Sequence, residues 1–121
     1  MSLMVSLISK DESLDTDELE KQITPPHNFL FGVEVCRKEL WGGKVVSELG
    51  CHMIYSLRDI DIFAFDEDLE ELKRELNIIL DNIEIFDNKE TGDDYVEFRV
   101  KNALEAIKVA EKYKDVGVWI G

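Results

Sequence analysis

Asp59, Asp61, Asp66 and Asp68 fall within one short stretch of the 121-residue chain, and carboxylates this close together can do two kinds of chemistry. They can hold a hard divalent cation, or two of them can share a proton. Asp59 and Asp61 are two residues apart, so on a strand they would project from the same face. With His52 close in sequence, they define one reading of the chain: a metal-dependent enzyme or small-ligand-binding protein. The competing reading is a solvated strand flank, with Asp68 serving as the N-cap of the helix that follows.

Other chemistry finds less support in the residues. A calcium loop starting at Asp87 would put Gly92 at the required sixth position, but Lys89 and Thr91 occupy two ligand positions and Phe98 replaces the bidentate glutamate. His27, Cys36, Cys51 and His52 are the soft ligands available, and they offer only the adjacent pair Cys51-His52 instead of a C-x-x-C clip. They read as two free thiols and two incidental histidines. Gly42-Gly43 opens neither G-x-G-x-x-G nor a lysine-containing phosphate loop, and G-x-S-x-G and H-E-x-x-H do not occur. Arg37-Lys38 reads as part of a solvated helix face. The sequence assigns no catalytic residue, no metal ligand set and no cofactor.

Charge narrows the partners. Twenty-seven acidic residues against fourteen basic ones give a formal net charge of −13. Nucleic acid, whose binding draws on lysine and arginine contacts to phosphate, is excluded as a partner, and anionic membrane is disfavoured for the same reason. A basic protein would be attracted. The leading expectation is therefore a non-enzymatic, cytoplasmic, acidic protein-binding module, with an inhibitor or immunity-type protein for a basic partner as one concrete form. Its expected binding residues are Glu67, Glu70 and Glu71 on the polar face of a helix, with Ile78 as an apolar anchor among them. Trp41 beside the glycines is the second anchor, since tryptophan offers much apolar area with one donor. Its competing role is in the core. A homo-oligomer through Trp41 or residues 116–120 is a third expectation.

The elements that must position these residues follow from periodicity. A hydrophobic content of 45% suits one globular domain spanning residues 1–121. Residues 1–3 read as an expression leader, with Met4 the native start and no signal peptide. Residues 4–26 form an N-terminal arm ending at Pro25-Pro26, with a strand at 5–8 and a helix over 16–23 capped by Asp15 and Glu18. Residues 28–50 carry two patterns. Phe31, Val33 and Val35 suit one strand face, whereas Val33, Cys36, Leu40 and Trp41 suit a helical stripe; two helices bent at Gly42-Gly43 and ended by Gly50 are expected.

Downstream, Ile60, Ile62 and Ala64 alternate as a strand. Leu69, Leu72, Leu76, Ile79, Leu80 and Ile83 then form one helical stripe, started by Asp68 and Glu71. Strands at 83–86 and 95–100, the latter facing inward through Val96, Phe98 and Val100, would flank a hairpin loop over 88–94. Asn102 would cap a helix that buries Ala103, Ala106, Ile107, Ala110 and Tyr113, and Val116, Val118 and Ile120 would form the last strand. The sum is an α+β fold, a small mixed sheet covered by helices, with a right-handed parallel crossover near the C-terminus.

Overall fold

Alternating apolar residues build both long strands. The computed structural model describes residues 2–86 and 95–121. In β1 (Ser2–Ser9) Leu3, Val5 and Leu7 point inward, and in β4 (Val116–Ile120) Val116, Val118 and Ile120 do the same. The two strands pair antiparallel with Val5 opposite Ile120 and Leu7 opposite Val118, which stacks the inward side chains in register. β2 (Leu30–Val33) adds antiparallel to β1, and β3 (Ile62–Ala64) adds antiparallel to β4, in the order β2-β1-β4-β3. The fold is α+β. Residues 4–26 supply most of an interior strand, and Leu3 is fully buried.

Every strand pair among the described residues is antiparallel, which corrects the expected mixed sheet. The parallel crossover needed a strand at 95–100, and those residues instead open helix α5 (Tyr95–Ala110). Val96 and Val100, four apart, share a face in a helix as readily as in a strand, and here both are buried on the helix. Asn102 therefore lies inside α5, not at its start. Its fully buried amide donates to the Leu30 carbonyl at 2.9 Å and the Asn28 side chain at 2.8 Å, and it accepts the Asn28 N–H at 3.0 Å. Asn28 is thus the far half of a tertiary clasp. The strand expected at 83–86 is a 3₁₀ turn over Ile83–Ile85, and the hairpin and calcium-loop readings of 87–94 lie outside the described residues.

The helices cover one face of the sheet. α4 (Asp66–Asp81) buries Leu69, Leu72, Leu76 and Ile79 as the stripe predicts, and α5 buries Ala103, Ala106, Ile107 and Ala110 beside it. α4 starts two residues before the expected cap: Asp68 lies within its first turn, and Asp66 takes a positive φ of 51°, tolerated by aspartate better than by most residues. α1 (Thr16–Glu20) is capped by Asp15, whose side chain accepts the Asp17 N–H at 3.0 Å.

Residues 28–50 combine both patterns. A short strand comes first, then a π-helical turn over Arg37–Trp41, then α2 (Lys44–Glu48), with the break at Gly42-Gly43 and Gly50 past the end at φ 81°. Within β2 only Phe31 of the expected strand face is buried, while Val33 and Val35 are exposed. α3 (His52–Tyr55) and a 3₁₀ turn (Ser56–Arg58) lead into β3. No helix among the described residues is long and apolar enough to cross a membrane.

Candidate docking face

The sheet is two-faced, and among the described residues the helices cover only one face. The side chains that alternate with the core residues point away from the helices: Met4 on β1, Leu30 and Val33 on β2, Trp119 on β4 and Phe63 on β3 are all exposed. Register brings them together. Met4 lies opposite Leu30, Ser2 opposite Val33, Ser6 opposite Trp119, and Phe63 opposite Trp119. The Phe63 and Trp119 rings stack with centroids 5.6 Å apart and planes 11° from parallel, although Phe63 is 58% and Trp119 37% exposed.

Neighbouring residues hold this pair in place. The Trp119 indole Nε1 donates to Asp61 Oδ2 at 3.1 Å, and Arg37 Nη2 donates to the other oxygen of the same carboxylate. Arg37 also reaches Glu34 at 2.6 Å and the carbonyls of Leu57 and Ile60 at 3.0 and 3.1 Å. That guanidinium fixes the entry to β3, and it holds the Asp61 carboxyl below the usual carboxylate range, with the Trp119 N–H acting in the same direction. Arg37 is therefore a largely enclosed brace, not part of a solvated helix face. On the other side of Trp119, the Phe65 ring lies over Gly117, where a Cβ would come within 2.6 Å of the ring and 2.2 Å of the Ala64 carbonyl oxygen. Lys10 Nζ lies 4.7 Å above the Phe65 ring and bonds to Asp66 at 3.1 Å.

The residues expected from sequence are placed differently. Trp41 is fully buried, stacks on Phe31 at 4.2 Å and donates its indole N–H to the Phe31 carbonyl at 3.0 Å, so it belongs to the core and cannot reach a partner. Ile78 packs against the core from a half-buried position, and Glu71 is engaged by Arg74 at 2.9 and 2.6 Å. Glu67 and Glu70 are exposed. Residues 116–120 form an interior strand with both edges paired, which closes them to strand-mediated oligomerisation. Asp59 ends the 3₁₀ turn before β3 and so does not share a strand face with Asp61, whose two oxygens are taken by Arg37 and Trp119. Among the described residues no group of three or more His, Cys, Asp or Glu side chains is arranged to hold a metal ion.

A second titratable cluster lies beneath α3. The buried Glu75 carboxylate accepts the N–H groups of Ile54 at 2.9 Å and Met53 at 3.2 Å, closing the start of that short helix. Burial, with Glu71 alongside, pushes its pKa up to about 7. Both cysteines are free. The buried Cys51 thiol bonds to the Glu75 carbonyl at 3.6 Å, and burial raises its pKa to about 11, the opposite of an activated nucleophile. This cluster reads as support for the fold.

Sequence reasoning missed Phe63, Trp119, Met4, Leu30, Val33 and Arg37. A signal was present for the aromatics: residues 62–65 and 116–120 are apolar on both strand registers, the pattern of a strand with no purely polar face. Comparison of the chain with protein-family models, with curated proteins and with solved structures finds no match.

Proposed function

We propose that this chain is an acidic, non-catalytic protein-binding module whose docking surface is the open face of its sheet. The observation that carries this is the exposed Phe63–Trp119 stack, braced by Asp61 and Arg37 on the same sheet face as the exposed Met4, Leu30 and Val33. A contiguous apolar patch marks an interaction surface more often than scattered exposed residues do. Aromatic side chains held in one rotamer lose little entropy on binding, which suits them to be its anchors.

The partner is a basic protein of the same compartment, which we take to be the cytoplasm. Glu34, Asp59, Asp66 and Glu67 are exposed beside the ends of β2 and β3, and the net charge of −13 would speed encounter with a cationic surface. An inhibitor or immunity-type protein that covers a cationic site is one form of this reading.

The test is affinity capture at low salt from the native cytosol, followed by binding measurements with the purified partner. Phe63→Ser and Trp119→Ser should each weaken binding by about tenfold or more. Glu70→Gln on α4 should change it less than threefold, roughly the effect of a rim charge. Undiminished binding by both aromatic variants would remove the sheet face as the surface.

A further inference from the structure

The backbone hydrogen-bond pattern separates the two edges of the sheet. Met4 and Gly121 exchange both of their N–H···O bonds, at 2.9 and 3.0 Å. In an antiparallel strand successive residues direct these groups to opposite sides, so Gly121, Trp119 and Gly117 address β1, and Ile120 and Val118 address β3. Their partners Ile62 and Ala64 address β4 in return. Phe63, between them, directs its N–H and C=O away from the sheet, and no side chain or loop among the described residues takes either group.

The opposite edge is covered at Leu30. On β2, Asn102 donates to the Leu30 carbonyl at 2.9 Å and Trp41 to the Phe31 carbonyl at 3.0 Å. Where β2 ends, Phe29 accepts the Val5 N–H at 2.7 Å and Glu20 accepts the Leu7 N–H at 3.2 Å. Unpaired edge groups are a template for another strand, and proteins usually cover them. Here the Leu30 groups on one edge are taken by Asn28 and Asn102, whereas Phe63 on the other edge presents both of its groups among the described residues.

We propose that the partner adds a fifth strand to β3, centred on Phe63, and that this strand is basic on either side of an apolar centre. This rests on the docking reading above and specifies its geometry. Charge selects the occupant. Asp59 and Asp61 precede the strand and Asp66, Glu67 and Asp68 follow it; Asp59, Glu67 and Asp68 are exposed and form no ion pair among the described residues. A second copy of the chain fits poorly. Antiparallel self-pairing about Phe63 would bring the acidic residues before β3 of each copy towards those after β3 of the other, and like charges brought together repel. Added basic residues would meet those carboxylates, while the apolar centre lies beside Phe63 and Trp119 on the open face.

The test titrates ¹⁵N-labelled chain with a short capped peptide, Lys-Lys-Thr-Val-Thr-Val-Thr-Lys-Lys. Two controls accompany it: one N-methylated at alternate residues along one edge, made in both registers, and one with glutamate replacing lysine. The parent peptide should shift the Phe63 amide and slow its hydrogen exchange. N-methylation in the pairing register should weaken binding by about tenfold or more through lost backbone bonds, and the glutamate peptide should not bind. Equal affinity of the parent and both N-methylated peptides would overturn strand addition. So would shifts confined to Met4 and the Trp119 indole with Phe63's amide unmoved, though that result would leave docking on the face intact. Absence of binding by every peptide would also overturn strand addition, and the Phe63→Ser and Trp119→Ser measurements with the purified partner would still decide the face.

Discussion

The indole N–H of Trp119 and the carboxylate of Asp61 meet at 3.1 Å across β4 and the entry to β3, and this bond orients the aromatic pair on the open side of the sheet. Gly121 makes room for it, because a Cβ there would lie 2.4 Å from the Asp61 carboxyl carbon. An exposed tryptophan is thus held in one orientation by a carboxylate that Arg37 in turn holds from the other side.

Asp61→Ala should release Trp119 with little loss of stability, below about 1 kcal/mol, because the interactions are partly solvated. Fluorescence separates the two tryptophans, since Trp41 is fully buried and Trp119 is 37% exposed. Iodide should quench the Trp119 component of the wild-type emission, and the quenching constant of that component should rise in the variant while the Trp41 component stays protected. An unchanged quenching profile would mean that Asp61 does not orient the indole.

Asn102→Leu should be among the most damaging single changes outside the apolar core. It strands the Leu30 carbonyl and the Asn28 N–H, both now paired to a fully buried amide, at a cost of about 2–4 kcal/mol. Urea unfolding measures this directly. A loss no greater than that of an exposed helix substitution such as Lys101→Ala would show that the clasp adds no stability.

Glu75 sets a pH dependence whose sign can be worked out. Its folded pKa, near 7, lies above the ordinary value of 4.5, so its contribution is full below about pH 4.5 and is lost as pH rises through 7. Glu71 behaves oppositely. The Arg74 guanidinium holds it well below the usual range, so its contribution is present above about pH 4.5 and lost only in strong acid. Between pH 5 and 8 the urea midpoint of the wild type should therefore fall more steeply than that of Glu75→Gln. Parallel profiles would show that Glu75 does not titrate there.

The cysteines should differ in reactivity. Cys36 is partly exposed, whereas Cys51 is fully buried with its thiol pKa raised to about 11. Native protein at pH 8 should be alkylated at Cys36 first, and Cys51 should react on unfolding. Mass spectrometry of the alkylated peptides reads the order.

Gly117→Ala tests the close approach of β3 to β4. The new methyl would meet the Ala64 carbonyl oxygen at 2.2 Å and the Phe65 ring at 2.6 Å, and the carbonyl belongs to a paired strand that cannot easily give way. A loss of about 1–3 kcal/mol is expected. The thermal unfolding midpoint should fall accordingly, and no change would indicate a looser β3–β4 seam.

By itself the sequence determined the features that depend on neighbours along the chain. The stripe from Leu69 to Ile79 specified α4, the alternation of Val116, Val118 and Ile120 specified β4, and the glycines at 42–43 and 50 marked where short helical segments begin and end. It also determined the net charge. What it left open has one physical cause: local periodicity says which residues share a face, but not whether another layer covers that face. Trp41 and Trp119 are equally apolar. Only the packing of the π-helical turn against β2 enclosed the first, and only the placement of both long helices on one side of the sheet left the second in solvent. Val96 and Val100 suited strand and helix alike until tertiary contact chose the helix, and Asn102 changed from an expected cap into a buried clasp with it. The open edge at Phe63 is likewise set by register among distant strands, which no stretch of a few residues encodes.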